Sequence, residues 1–599
     1  MIGDWRKLFS FFETREKRRI VVLLISTTIC ALLEAIGVAS ILPFIAVVAD
    51  PALVAENEYL SRLYELLEFG SVNQFLVFLG LAALFVLVAA NVLVAVNAWL
   101  TFRVSHLGEY DLARRLLRKY LHSPYQLLQR RNSSQLLTML VTEIERVVID
   151  TLMSGIDALS DAVVTIFIVA LLLWINPWVT GMTLLVLAVA YAVIYLLVTP
   201  RVLRLGSQFA ALNAETYKNA HEALAAAKEI KVLGCEEHFV DRYSKPMLQL
   251  SRNAIAYNTL EFIPAQSLEL IGFGGLLAAA LFMIGSGETA GRIIPMLAMF
   301  AFAAYRLIPA LKDLFDSVEE IRHNMVALEP LWLDYSAPHD EEAGQAPGRL
   351  NFREAIRLEN VSYCYAGDRQ QALSDIDLEI RAGAATCFMG STGAGKSTTV
   401  DVLLGLLQPS RGRVLVDGAP IVRDRLRAWQ QNIGYVPQVA FLFDDTVTNN
   451  IAPGVKAEDI DLGRVERAAR IAEIHDFIVA ELPDGYRTLV GERGANLSGG
   501  QRQRIGIARA LYRNPSVLVL DEATNELDLV TEGRILGSLR KLANTTLIFV
   551  SHRASIAASC DDIVVFEGGR VAMRGNYAAL AASGSRYLAL VKEPAAGAP

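Results

Sequence analysis

A glycine-rich stretch in the second half of the chain has the spacing of a phosphate-binding loop. Residues 390–397 read Gly-Ser-Thr-Gly-Ala-Gly-Lys-Ser, which fits the pattern GxxxxGK[ST] known as the P-loop. The apolar run Ala385–Met389 precedes it, and the helical stretch Thr398–Leu407 follows it. Glycines let backbone N–H groups surround a phosphate at the start of a helix, where the helix dipole favours an anion. The pattern predicts a nucleotide phosphate site formed by Gly390, Ser391, Thr392, Gly393, Ala394, Gly395, Lys396, Ser397 and Thr398.

Within this loop, Lys396 is expected to reach the β- and γ-phosphates, and the Ser397 hydroxyl is expected to coordinate Mg²⁺. A match to the string alone can arise by chance. The prediction therefore depends on partner motifs further along the chain.

Two carboxylates at the end of a later apolar run are the first of these partners. Val517–Leu520 reads as a buried strand, and Asp521 and Glu522 follow it. Asp521 suits the metal shell, whereas Glu522 suits polarising an attacking water. The alternative is an acidic strand end that only faces solvent.

A second helix start that could bind phosphate lies between the P-loop and these carboxylates. The residues Ser498, Gly499, Gly500 and Gln501 follow Leu497 and open the helical stretch Arg502–Tyr512. A Ser-Gly-Gly string by itself would indicate only a loop. Its position between the other two motifs makes the pattern specific.

The composition of the chain limits the class of protein. Its 599 residues are 53% hydrophobic and 20% charged, with a mean hydropathy of +0.36, which argues against disorder and against a wholly soluble enzyme. The net charge of −7 argues against nucleic acid as a partner. Five scattered cysteines with no CxxC pair predict neither a disulfide framework nor a zinc site and fit a reducing cytosol.

Six long apolar runs occupy residues 1–325. Each has at least the ~20 residues that a helix needs to span a bilayer. Buried helices of a large soluble core are the alternative, but six such runs are too many for it. The predicted spans are Ile20–Val48, Phe75–Phe102, Met153–Ile175, Trp178–Thr199, Phe262–Ile284 and Arg292–Leu311.

The distribution of lysine and arginine predicts the orientation of these spans. The N-terminal segment and the long loops after the second and fourth spans are rich in both residues, whereas the loop Asp50–Gln74 holds Arg62 against five acidic residues. Both termini and the nucleotide-binding domain are therefore expected in the cytosol.

The chain is thus expected to be a six-helix transmembrane α-helical domain fused to an α/β P-loop domain. The predicted boundaries are a transmembrane domain at 1–325, a linker at 326–352, a cytoplasmic nucleotide-binding domain at 353–593 and a flexible tail at 594–599. After residue 353, short Val/Ile/Leu runs alternate with amphipathic helical stretches, which is typical of a largely parallel sheet.

Taken together, these motifs make essentially the whole chain resemble the ATP-binding cassette (ABC) transporters of the exporter type. The resemblance implies ATP and Mg²⁺ as cofactors, with Lys396, Gln438, Glu522 and His552 as catalytic residues. It also implies that Tyr365 stacks on adenine, that Asp528 belongs to the D-loop, and that Ser397, Gln438 and Asp521 hold Mg²⁺. Asn525-Glu526 departs from the Ser-Ala usual before Leu527-Asp528, and we expect this departure to alter coupling between two ATP sites.

One chain carries one membrane domain and one cassette. In the family, the P-loop of one subunit faces the LSGGQ motif of another, so the resemblance implies a dimer, most simply a homodimer. It also implies that the inner loops around His122–Gln129 and Asn213–Glu222 contact the cassettes.

For the substrate, the resemblance is to bacterial flippases of polyprenyl-diphosphate-linked oligosaccharides. Export of lipid A, of another lipid or of a hydrophobic peptide stays open, as does an ATP-gated channel on the same fold. Membrane lipids and a lipid-linked or amphipathic substrate are the expected partners. The stretches that carry the resemblance are Leu33–Gly37, Leu42–Ile45, Asn57–Leu60 and Tyr305–Pro309.

Glu34 and Arg306 are ionisable residues inside predicted spans and are the candidates for substrate contact. A guanidinium suits bidentate recognition of phosphate. The alternative is an intramembrane pair between the two. In the outer loop, Leu60, Leu63, Tyr64 and Leu67 fall at helical spacing, and the helix they predict could hold a lipid tail or pack on the span ends.

Overall fold

The computed structural model describes residues 2–49, 51, 53–130, 133–175, 177–285, 290–336, 348–365 and 371–582. Contacts divide the chain into two compact units. The first comprises Met1–Ser123 and Arg131–His339, and the second comprises Pro124–Arg130 and Asp340–Pro599.

The described part of the first unit is helical. Its helices are α1 (Ile2–Ser10), α2 (Thr14–Ala39), α3 (Ile41–Ala49), α4 (Leu53–Glu56), α5 (Glu58–Leu66), α6 (Val72–His122), α8 (Ser133–Thr138), α9 (Thr151–Ile175), α10 (Pro177–Ala225), α11 (Ala227–Leu233), α12 (Glu236–Gly285), α13 (Ala290–Met325) and α14 (Leu328–Ser336). Two π-helical turns, Met139–Glu143 and Arg146–Asp150, lead from α8 into α9. The helix α7 (Tyr125–Arg130) belongs to the second unit.

Six of the described helices exceed 20 residues, namely α2, α6, α9, α10, α12 and α13. Each contains all or most of one predicted span, so the membrane-helix prediction is confirmed. By length and composition, the described residues of Thr14–Gly37, Val72–His122 and Gln135–Ala170 suffice to cross a bilayer. At 1.5 Å per residue, α6 is about 77 Å long and extends well beyond a ~30 Å hydrocarbon core.

The first predicted span is broken near its end. A turn at Ser40 separates α2 from α3, and Pro43 lies in the first turn of α3. Proline has no N–H to donate to the carbonyl four residues earlier, so a continuous helix could not keep its hydrogen bond to Ala39. The Ser40 hydroxyl instead donates to the Gly37 carbonyl at 2.6 Å.

The outer-loop helix α5 forms as predicted, and its apolar side packs on the protein. Asn57 caps it by accepting from the N–H groups of Tyr59 and Leu60. Leu60, Leu63 and Tyr64 pack against a buried cluster that includes Val47 and Phe75. Most of its apolar stripe therefore covers the span ends, which fits the packing alternative.

The second unit contains two sheets flanked by helices. Its strands are β1 (Ala355–Tyr363), β2 (Leu373–Arg381), β3 (Ala385–Gly390), β4 (Arg411–Val416), β5 (Ala419–Pro420), β6 (Ile433–Val436), β7 (Val517–Asp521), β8 (Thr546–Val550), β9 (Asp562–Glu567) and β10 (Arg570–Gly575). Its other helices are α15 (Lys396–Leu403), α16 (Arg423–Gln430), α17 (Val447–Ile451), α18 (Leu462–Ile471), α19 (His475–Glu481), α20 (Gly499–Tyr512), α21 (Leu529–Arg540), α22 (Ala554–Ser559) and α23 (Tyr577–Ala582).

The larger sheet has the order β10-β9-β3-β8-β7-β6, and the five strands from β9 to β6 are parallel. The smaller sheet, β2-β1-β4-β5, is antiparallel. The parallel strands are short apolar runs because both faces of the larger sheet are covered by buried clusters. The α/β prediction is confirmed.

Trp429 is the largest fully buried side chain, and its Nε1 donates to the Leu403 carbonyl at 2.8 Å, at the end of α15. We expect Trp429→Phe to cost about 1–3 kcal/mol, because it strands that carbonyl and leaves space behind. The thermal midpoint of the cassette should fall by roughly 2–10 °C. Trp174→Phe, at a position 84% exposed, is the matched control. Equal midpoints for the two variants would contradict the packing role.

Candidate functional site

The candidate site lies where four neighbouring parallel strands end. In the order β3, β8, β7, β6 these strands are hydrogen-bonded side by side. The P-loop follows β3, Ser551-His552 follows β8, Glu522 follows β7, and Gln438 lies two residues after β6. Carboxyl ends of parallel strands meet at one edge of a sheet. Motifs up to about 160 residues apart in sequence are therefore brought to one place.

The P-loop backbone needs glycine at two of its positions for steric reasons. Gly390 and Gly395 have φ values of 144° and 102°. A Cβ on Gly390 would lie 2.4 Å from the Phe566 carbonyl oxygen, and one on Gly395 would lie 2.9 Å from the Leu373 side chain. The loop is thus held tightly between its own strand and neighbouring backbone, and α15 starts at Lys396 directly after it.

The Lys396 side chain folds back over the P-loop. Its Nζ donates to the carbonyl oxygens of Gly390 at 2.8 Å and Ser391 at 2.9 Å. Burial lowers the pKa of this ammonium, and the nearby carboxylates of Glu522 and Asp521 oppose that shift. The ammonium is thus placed between the loop and the acidic strand end.

Tyr365 is brought next to the P-loop helix. Its hydroxyl lies 3.2 Å from Oγ1 of Thr398, and its ring meets the Tyr363 ring edge to face at 5.0 Å. Tyr365 therefore lies beside the loop, and its stacking on adenine stays a prediction.

The Glu522 carboxylate accepts hydrogen bonds from two amide side chains, and an imidazole lies nearby. Gln438 Nε2 and Asn525 Nδ2 both donate to its Oε2 at 3.0 Å. His552 Nδ1 lies 3.9 Å from its Oε1. The Glu522 backbone has φ 48°, a conformation uncommon outside glycine, and its N–H donates to the Val550 carbonyl at 2.9 Å. The side chains of Glu522, Gln438 and His552 therefore lie together, with Asn525 beside them, and their catalytic roles stay a prediction.

Asp521, Ser397 and Gln438 offer a carboxylate, a hydroxyl and an amide oxygen. Such hard oxygen donors fit Mg²⁺, which usually takes one or two carboxylates and completes its shell with water and phosphate oxygens. Burial raises the pKa of Asp521, as does the charge of Glu522, while Lys396 opposes the shift. Within the described residues there is no cluster of three or more His, Cys, Asp and Glu that could hold a metal unaided.

The Ser498–Gln501 turn stands apart from the P-loop in its hydrogen bonding. Ser498 caps α20, and Ser498 and Gln501 form a reciprocal capping box. Among the described residues, no hydrogen bond joins this turn to residues 390–398. Asp528 likewise has a local role, since it caps α21 and accepts from Val530 N and Thr531 N. These hydrogen bonds lower the pKa of Asp528.

Two contacts were missed by reasoning from the sequence. One is the amide of Asn525 on Glu522. The departure from Ser-Ala was the available signal, but it did not show which group the side chain reaches. The other joins α7 to the strand that precedes Tyr365, since Gln126 Nε2 donates to the Tyr363 hydroxyl at 2.8 Å. Residues 124–130 cluster with the cassette unit, and the coupling role of the His122–Gln129 loop stays a prediction.

The candidate substrate residues lie in the first unit. Glu34 is part of α2 and is half-buried. Arg306 falls within α13, but its side chain lies outside the described residues. Whether the two side chains pair or contact a substrate thus stays a prediction, as does the contact of Asn213–Glu222 with a cassette.

The fold and the site define a class: a P-loop ATPase domain that follows a multi-pass membrane domain. Residues 373–525 match the family model described as ABC transporter, and residues 20–305 match the model described as ABC transporter transmembrane region. A bacterial Atm1-family ABC exporter with ATP bound is a structural neighbour, with a TM-score of 0.76, 26% identity and coverage of 96% of this chain and 98% of that one.

Relatives in sequence are bacterial proteins named ATP-dependent lipid A-core flippase. The one from Chromobacterium violaceum is 35% identical over 422 residues, which cover 68% of this chain and 70% of the relative. The one from Alkalilimnicola ehrlichii is 30% identical over 498 residues, 82% of each chain. The chain belongs to the ABC transporters. It is a half-transporter that spans the membrane several times and uses ATP.

Asn525 gives the first test of the site. Asn525→Ala should lower kcat for ATP hydrolysis by about two- to tenfold, because it removes one of two amide donors that orient Glu522. KM for ATP should change by less, since no described contact joins Asn525 to the P-loop. Asn351→Ala is the control at an exposed position. A wild-type kcat for Asn525→Ala would contradict the orienting role.

Proposed function

We propose that the chain forms a homodimeric flippase of the bacterial inner membrane, driven by ATP hydrolysis at two sites between the cassettes. The observation that carries the proposal is the carboxylate of Glu522, held between Gln438, Asn525 and His552 at the strand ends beside the P-loop. Its cargo is a lipid with a phosphate-bearing glycan headgroup.

The residues of the site divide the chemistry of phosphoryl transfer among them. Lys396 and the loop backbone bind the phosphates, Tyr365 stacks on the adenine, and Glu522 orients the attacking water. His552 contacts the γ-phosphate. Ser397, Gln438 and Asp521 would hold Mg²⁺, which neutralises charge on the phosphates when bound.

A second copy of the chain is proposed to complete each site. In the family, the P-loop of one subunit faces the LSGGQ motif of another, and no described hydrogen bond joins the Ser498–Gln501 turn of this chain to its own P-loop. At the start of α21, directly after Asp528, the neighbouring apolar side chains of Leu529 and Val530 are 63% and 66% exposed. We propose that the second copy covers them.

We propose that α7 transmits motion between membrane helices and the adenine pocket. Gln126 reaches the Tyr363 hydroxyl, and the Tyr363 ring packs on Tyr365, which also contacts Thr398 of the P-loop helix. A shift of α7 would thus reach the nucleotide through two aromatic rings.

This path gives a test. Tyr363→Phe keeps the ring packing but removes the hydrogen bond from Gln126, so substrate stimulation of ATP hydrolysis should fall by about two- to tenfold while basal turnover stays near wild type. Gln126→Ala should have the same effect, and the double variant should lose no more than either single one. Additive losses would mean that the two residues act separately.

The substrate class has two candidate members with a common chemistry. Relatives named for lipid A-core support a glycolipid of the lipid A type. The stretches Leu33–Gly37 and Tyr305–Pro309 support a polyprenyl-diphosphate-linked oligosaccharide. Both carry phosphates, which we propose that Arg306 contacts, and Glu34 is the second candidate for contact with the substrate. The basic inner loops and the single arginine of the outer loop support an orientation with the cassettes in the cytosol.

The decisive experiment measures ATP hydrolysis and lipid flipping together in proteoliposomes. Labelled lipid A-core, a labelled polyprenyl-diphosphate glycan and a labelled phospholipid are offered in turn. We expect one of the first two to be flipped and to stimulate hydrolysis. Glu522→Gln should bind ATP but reduce both activities at least 100-fold, because an amide cannot take up a proton from water. Wild-type turnover by this variant would remove Glu522 from the mechanism, and flipping of none of the glycolipids would remove the substrate class.

A further inference from the structure

Glu526, the second residue of the departure from Ser-Ala, lies against the Ser498–Gln501 turn of its own cassette. A Cβ placed on Gly499 would be only 2.0 Å from Oε2 of Glu526. Gly499 is the first residue of α20 and has helical backbone, so its conformation does not require glycine. The missing side chain is instead what makes room for the carboxylate.

The turn that receives Glu526 is a favourable place for an anion. The N–H groups in the first turn of a helix have no partner within the helix, and its dipole favours negative charge there. The capping box engages the N–H groups of Ser498 and Gln501. Those of Gly499 and Gly500, between them, form no described backbone hydrogen bond. The carboxylate of Glu526 lies against Gly499 beside these N–H groups, and no described hydrogen bond joins it to them.

We propose that Glu526 is a built-in competitor for the γ-phosphate of the ATP bound on the partner subunit. This inference rests on the proposed function, in which that phosphate binds the same turn. Two anions cannot share one helix start without repulsion, so the phosphate must displace the carboxylate before the cassettes close. The chain thereby requires a higher ATP concentration for closure than it would with the usual alanine.

Glu526→Gln keeps the shape of the side chain and removes its charge, and Glu526→Ala restores the usual residue. For both variants of the full chain in nanodiscs, the ATP concentration at half-maximal hydrolysis should fall about two- to fivefold, the factor expected for one carboxylate at an exposed helix start. The ratio of wild type to variant should shrink as salt rises from 0.05 to 0.5 M, roughly as screening requires.

Glu458→Gln is the matched control, since it makes the same charge change at a side chain 77% exposed on the 3₁₀ turn Ala457–Asp459. It should leave the ATP dependence unchanged. An unchanged half-maximal concentration in Glu526→Gln would overturn the role of Glu526, as would a shift independent of salt. Both results leave the proposed ATPase intact if Glu522→Gln is inactive, whereas an active Glu522→Gln would overturn the proposed site itself.

Discussion

The parallel order of β3, β8, β7 and β6 is the constraint on which the ATP site depends. Because these strands run the same way, their carboxyl ends deliver the P-loop, His552, Glu522 and Gln438 to one edge of the sheet. The strands β3, β7 and β8 are almost wholly buried, and their side chains pack into clusters on the two faces of the sheet, so a shift in register would disturb that packing. The catalytic geometry is therefore fixed by the same packing that stabilises the cassette.

Residues 525 and 526 would connect hydrolysis with nucleotide entry under the proposed function. Asn525 donates to the carboxylate of Glu522, which we propose orients the water, while Glu526 lies against Gly499, in the turn that we propose receives phosphate. Because the two are adjacent, a movement of this loop changes both at once. If incoming phosphate displaces Glu526, the movement would reach Glu522 through the peptide bond to Asn525 and the hydrogen bond from the Asn525 amide to the Glu522 carboxylate. Such a movement would be the physical mechanism by which Asn525-Glu526, in place of Ser-Ala, alters coupling between the two ATP sites.

Much of the molecule could be predicted from sequence because its signals are local. Long apolar runs predict spans, and the P-loop depends on glycines whose need is steric and confined to eight residues. Contacts across distant segments give no such signal. The hydrogen bond from Gln126 to Tyr363 joins residues that are 237 positions apart in the sequence. The contact between Glu526 and Gly499 likewise depends on how two loops pack. The position of Pro43 could have predicted the break at Ser40, but hydropathy alone predicts one continuous span in place of α2 and α3.

The account stands on ATP sites shared between two copies of the chain, and a mixed dimer tests this most directly. Dimers with differently tagged subunits would carry Lys396→Ala and Ser498→Arg either on separate subunits or together on one, beside a wild-type subunit. If each P-loop works with the partner's turn, separate placement leaves one intact site and measurable ATP hydrolysis, whereas joint placement damages both sites and abolishes it. The reverse pattern, with activity only when both changes share one subunit, would contradict the account.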